Sequence, residues 1–120
     1  MPHLVLEYSA NVAPLPDLPD LLRRLHEALA AAGPFDLGKI KSRAVRHEVF
    51  RVADGAPDRA FVHLTAAVLD GREAAVLAAT AEGLLAPLRE ALAPARAAGR
   101  CDVTLELREM PRALYFKPGP

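Results

Sequence analysis

Apolar and polar residues alternate from the first positions of the chain, with Leu4, Leu6 and Tyr8 on one side and His3, Val5 and Glu7 on the other. A period of two over residues 3–9 predicts a strand. Residues 11–16 carry Pro14 and Pro16, which suit neither helix nor ladder, so they read as a connector. The period then lengthens: Leu18, Leu21, Leu22, Leu25, Leu29 and Ala32 form one stripe at helical spacing. Asp17 suits the N-cap, Pro19 the first turn, Asp20 the positive dipole end, and Gly33-Pro34 the stop. Residues 39–52 are β-branched and aromatic enough to predict a long strand despite imperfect alternation, and 53–58 form a turn cluster. Residues 60–69 are apolar at both parities, which predicts a buried or central strand.

A second helix is expected after Asp70-Gly71-Arg72, with Leu77, Ala81, Leu84, Leu85, Leu88 and Leu92 on one face. Pro87 should bend it by pressing on the Gly83 carbonyl, Pro94 should end it or kink it again, and Gly99 should stop it. Cys101, Val103, Leu105 and Leu107 alternate with Asp102, Thr104, Glu106 and Arg108 in a half-buried strand. Residues 113–117 could add a short last strand. The order β-α-β-β-α-β defines an α+β fold: a four-stranded sheet with two helices on one face. It is read as a single domain over residues 1–120, with halves at about 2–52 and 59–109. The opposite face would expose Val5, Val62 or Leu64 and one side of residues 101–107, enough apolar surface to predict association through the sheet.

Composition narrows the function. Fifteen basic and fifteen acidic residues cancel, the basic residues are scattered, and no nucleic-acid footprint is visible. No stretch is long and apolar enough for a membrane span, and Glu7 interrupts any signal-like run, so a cytoplasmic address is expected. Cys101 stands alone, which excludes an intrachain disulfide and a CxxC motif, and on an apolar strand face its thiol should be inert. His3, His26, His47 and His63 lack metal-ligand spacing, so neither a metal site nor a cofactor is expected. Ser9 and Ser42 stand outside any GxSxG turn, and the glycines form no phosphate-binding loop.

What remains is Pro2. Removal of Met1 would turn its ring nitrogen into a free secondary amine, whereas an internal proline nitrogen is an amide with no proton to exchange. Burial or neighbouring cations would lower the pKa of that amine and make it a usable base. Topology supplies the cations. A β-α-β crossover makes its strands parallel, so Pro2 and Lys41 start at the same sheet edge, about 5 Å apart if the strands are neighbours. An antiparallel second half would return its first strand, and with it Arg72, to that edge. Ordinary alternatives exist for each: Lys41 and Arg43 as solvated edge charges, Arg72 as a partner of Asp70 or Glu73.

The segments Pro2-His3, Glu7-Tyr8-Ser9, Ile40-Lys41-Ser42-Arg43, Ala53-Asp54-Gly55, Phe61-Val62-His63-Leu64-Thr65, Gly71-Arg72 and Leu114-Tyr115-Phe116-Lys117 together resemble the 5-carboxymethyl-2-hydroxymuconate isomerase family. That family lies in the tautomerase superfamily, with 4-oxalocrotonate tautomerase and macrophage migration inhibitory factor. The resemblance implies a cofactor-free isomerase of an unsaturated carboxylated 2-hydroxy acid, a homotrimer with inward-facing sheets, and a role in homoprotocatechuate breakdown. It implies Pro2 as the catalytic base, Arg72 as a carboxylate ligand, Arg43 as a further binding residue, and Phe116 as a pocket wall. Lys41 stands where an arginine is expected, keeping the charge but losing the bidentate fork. Two alternatives accompany this reading: a non-catalytic trimeric binding or assembly protein on the same fold, and a tautomerase for a different small acid.

Overall fold

The computed structural model describes residues 1–119. Its elements run β1 (His3–Ser9), α1 (Leu18–Ala32), β2 (Lys41–His47), β3 (Arg59–Leu69), α2 (Ala74–Ala98) and β4 (Arg100–Met110), with short 3-10 turns at Leu37–Lys39 and Arg112–Leu114. The sheet order is β2-β1-β3-β4. β1 runs parallel to β2 and β3 parallel to β4, while β1 and β3 pair antiparallel at the centre. The start of β1 and the end of β3 therefore share one edge of the sheet.

Helix α1 forms where its caps allow it. Asp17 accepts from the Asp20 amide at 3.0 Å, and Pro19 occupies the first turn. Leu21, Leu25 and Leu29 are buried against the sheet, each worth roughly 1.5–3 kcal/mol of apolar transfer. Helix α2 runs unbroken through both of its prolines. Pro94 therefore does not end it. Pro94 is exposed, so the carbonyl freed by its missing N–H can turn to water. Gly83 has a packing role that periodicity cannot reveal. A Cβ there would stand 3.0 Å from the Ala32 Cβ, so glycine permits the close approach of α1 and α2.

Three expectations need correction. Strand β2 stops at His47 rather than continuing to 52, because its only partner, β1, ends at Ser9. Beyond it, Phe50 packs edge-on against Phe61 with centroids 6.5 Å apart. The tail forms no strand: Pro111 leads into the 3-10 turn, which Asp70 caps by accepting from the Arg112 amide at 3.1 Å. Finally, Val62 and Leu64 lie under the helices, 2% and 0% exposed, because β1 pairs Leu6 with Leu64 and fixes the parity of β3. The uncovered face instead carries Lys41, Arg43, Val45, His3, Val5, Glu7, Phe61, His63, Thr65, Ala67, Asp102, Thr104 and Glu106. It mixes charged and polar side chains with apolar ones.

Among the described residues, no helix is long and apolar enough to cross a membrane.

Candidate active site

The edge where β1 starts and β3 ends holds a cavity of ≈ 290 Å³. Met1, Pro2, Phe35 and Leu69 line it with apolar surface, and Lys39, Arg72, Arg112 and Lys117, with the single acid Asp36, make its charged lining. Each arrives by a local device. Pro2 is buried, and its carbonyl accepts from the Lys41 amide at 3.1 Å, which locks the first residues into the sheet. Asp36 also lines the cavity, and its carboxylate accepts from the Gly38 amide at 3.0 Å, shaping the turn that presents Lys39. Gly71, at φ +101, makes the turn between β3 and α2 with a backbone conformation that L residues rarely adopt. Arg72 follows it directly.

Arg72 is held on two sides. Its Nη1 donates to the Leu69 carbonyl at 2.7 Å, and its guanidinium lies over the Phe35 ring, 4.5 Å from the centroid. Its Nε is buried without a partner. The ordinary reading of Arg72, an ion pair with Asp70 or Glu73, does not occur. Asp70 turns to the Arg112 amide instead. No carboxylate lies within ion-pairing distance of Lys39, Arg72, Arg112 or Lys117 among the described residues.

These charges act on the N-terminal amine. The Met1 amine has its pKa lowered, first by burial and then by Arg72, Lys41, Lys39 and Arg112, all of which disfavour another positive charge. Processing would move the amine one residue inward, from partly buried Met1 to buried Pro2.

Pro2 and Arg72 thus share the cavity, whereas the other two expected residues stand outside its lining. Lys41 is exposed at the rim with Nζ donating to the Lys39 carbonyl at 3.2 Å, and only its charge reaches the amine. Arg43 lies opposite Val5 on the uncovered face, where burial first, then Lys41 and then Arg43 lower the pKa of His3. Phe116 is 82% exposed and stands outside this lining; Phe35 is the aromatic residue in it. Lys39, Arg112 and Phe35 escaped sequence reasoning because all three sit in irregular segments. Periodicity carries no information there, and only the clustering of Lys39 with Lys41 and of Arg112 with Lys117 offered a hint.

Elsewhere, no group of three His, Cys, Asp or Glu side chains is close enough to share a metal ion among the described residues. Burial first, and then Asp102, pushes the Cys101 thiol pKa up, as befits an unreactive sulfur.

The family model for 5-carboxymethyl-2-hydroxymuconate isomerase matches residues 2–120. The chain is 32% identical over 117 residues to the 5-carboxymethyl-2-hydroxymuconate Delta-isomerase of Escherichia coli, covering 98% of this chain and 93% of that one. A crystal structure of a 5-carboxymethyl-2-hydroxymuconate isomerase from Deinococcus radiodurans R1 superposes with a TM-score of 0.91 at 35% identity, covering 99% of this chain and 90% of that one. A fused 4-OT symmetric trimer shares the fold at a TM-score of 0.71 and 18% identity, covering 92% of this chain and 87% of that one. Matched over nearly its whole length by sequence and by structure, the chain belongs to the 5-carboxymethyl-2-hydroxymuconate isomerase family.

Proposed function

We propose that this protein is a cofactor-independent isomerase of 5-carboxymethyl-2-hydroxymuconate or a closely similar carboxylated 2-hydroxydienoate. The observation that carries the reading is an N-terminus opening into a cavity whose cations have no carboxylate partner. Such a cavity is made for an anion, and its amine is tuned towards the neutral form.

With Met1 removed, the Pro2 nitrogen takes the proton of the 2-hydroxyl group. The O–H electron pair becomes the carbonyl π bond, and the diene electrons shift along the chain. Carbon 5, at the far end of the diene, accepts the proton back from Pro2. No electron leaves the substrate, so the step needs no redox partner. Arg72 binds a carboxylate and stabilises the dienolate as its charge develops, while Lys41 adds positive potential at the rim. Arg43 contributes at most from the uncovered face.

The same proposal includes a homotrimer associating through the uncovered face, a place in the breakdown of homoprotocatechuate, and a cytoplasmic address. The trimer is supported by the sheet face that the helices leave open.

The test is turnover of the dienol by wild type, shown by intact mass to have lost Met1, against Pro2→Ala. Base catalysis contributes about 10²–10⁴-fold, and the variant should lose that much of kcat. Undiminished activity in Pro2→Ala, or full activity in protein retaining Met1, would contradict the mechanism.

A further inference from the structure

The charged tail beyond β4 is fixed in place by two sets of contacts. The first joins it to the turn carrying Arg72. Asp70 accepts from the Arg112 amide at 3.1 Å, the Arg112 Nη2 donates to the Asp70 carbonyl at 3.0 Å, and the Asp70 amide donates to the Met110 carbonyl at 3.0 Å. The second joins it to β1: His3 Nε2 and the Tyr115 hydroxyl lie 2.8 Å apart, with the rings tilted and 6.0 Å between centroids. Between these pins the tail brings Arg112 and, beyond them, Lys117 to the cavity wall.

The chemistry of the first contact is telling. Asp70 is the acid that touches Arg112, yet its carboxylate is engaged with the backbone amide and only its carbonyl meets the side chain. The guanidinium receives only a carbonyl. Arg112 is therefore positioned by Asp70 without being neutralised, and its remaining N–H groups are free to bind. Arg72 is held in the same manner, by the Leu69 carbonyl. The cavity thus has two arginines, each anchored to a carbonyl and neither paired with an acid, on adjoining turns.

Two such anchors answer a demand of the reaction. A proton that leaves the hydroxyl on carbon 2 and arrives at carbon 5 must meet the same nitrogen at both ends of the diene. A substrate tethered at one end would be free to swing the other away. A muconate skeleton carries a carboxylate at each end, and the carboxymethyl group adds a third.

We propose that Arg112 is a substrate-binding and specificity residue of this site. It holds a carboxylate at the opposite end of the diene from the one held by Arg72, with Lys39 adding charge, so the cavity selects dienes carboxylated at both ends. This rests on the isomerase reading of the cavity, and it assigns Asp70 as the positioning residue for Arg112.

Two pairs of ligands test it. For turnover, 2-hydroxymuconate carries carboxylates at both ends, whereas 2-hydroxyhexa-2,4-dienoate carries one. In Arg112→Gln the ratio of their kcat/KM values should fall at least about tenfold, the loss of roughly 1.4 kcal/mol of differential binding. Arg112→Lys should restore part of it. For binding alone, calorimetry with muconate and with hexa-2,4-dienoate, which lack the hydroxyl, should show the same selective loss. A proportional fall for both members of a pair, or an unchanged ratio, would overturn the assignment. Selective loss of muconate binding in a processed protein that turns over neither dienol would uphold the clamp and strike the isomerase reading instead.

Discussion

The two ends of the central strand pair use the same residue types to opposite effect. At the end where β3 begins, Arg59 holds Asp54 at 2.8 Å, and Arg100 grips both oxygens of Asp58 at 2.6 and 2.9 Å. Those acids sit well into the ionised range: Asp54 is lowered by the Ala56 amide and Arg59, and Asp58 by Arg100. At the end where β1 begins, Lys39, Arg72, Arg112 and Lys117 surround a cavity whose one acid, Asp36, is engaged with the Gly38 amide and pairs with none of them among the described residues. Charge is cancelled at one end and left standing at the other. The first arrangement closes a turn in solvent, where ion pairs contribute little. The second keeps potential available for an anion and lowers the pKa of an amine.

The sharpest way to break this contrast is to remove the cation nearest the chemistry. Arg72→Gln should cut kcat/KM for the carboxylated dienol by about 10–100-fold, the loss of charge-assisted hydrogen bonds worth roughly 1.5–3 kcal/mol. An unchanged kcat/KM in steady-state assays would remove Arg72 from the site.

A smaller effect is expected one residue earlier. At Gly71 (φ +101) a Cβ would meet nothing within 4 Å, so Gly71→Ala carries a backbone cost alone, about 1–3 kcal/mol. Chemical denaturation should show that loss, and KM should rise as the turn misplaces Arg72. Wild-type stability with wild-type KM would show that the turn does not need glycine. The smallest effect belongs to the other end. Arg100→Ala removes an exposed pair, and kcat/KM should stay at the wild-type value. A marked loss of activity would mean that the two ends are not independent.

Much of this was legible in the residues themselves. Helix α1 could be read to the residue because Asp17, Pro19 and Gly33 mark its limits chemically. The meeting of Pro2 with Arg72 followed from crossover geometry, since parallel and antiparallel pairing leave few choices of edge. The parity of β3 was harder to read. Arg59, His63 and Thr65 all fall on the open side, but Phe61, Ala67 and Leu69 share it and make both sides look apolar, and pairing with β1 shows which set is covered. The rest of the cavity was hidden for a different reason. Phe35, Lys39 and Arg112 lie in irregular chain, placed by Asp36 and Asp70 through contacts to backbone amides. Such contacts have no period. Lys41 was placed at the right edge but on the rim, because β2 turns its side chain towards the uncovered face while the cavity opens beside the Leu37–Lys39 turn.

The central claim is that the processed Pro2 nitrogen is a base held near neutrality by unpaired cations. Nitrogen-detected NMR titration of proline-labelled protein reads this directly. The expected result is a secondary amine titrating below the same N-terminal proline in the unfolded chain, in the direction that burial and the surrounding cations push the Met1 amine. Because the base works only when unprotonated, kcat/KM should rise with pH through the pKa of that amine and then level off, and both curves should move to higher pH in Arg72→Gln. A resonance with the signature of an amide, or an amine titrating no lower in the folded protein than in the unfolded chain and indifferent to Arg72, would contradict the account.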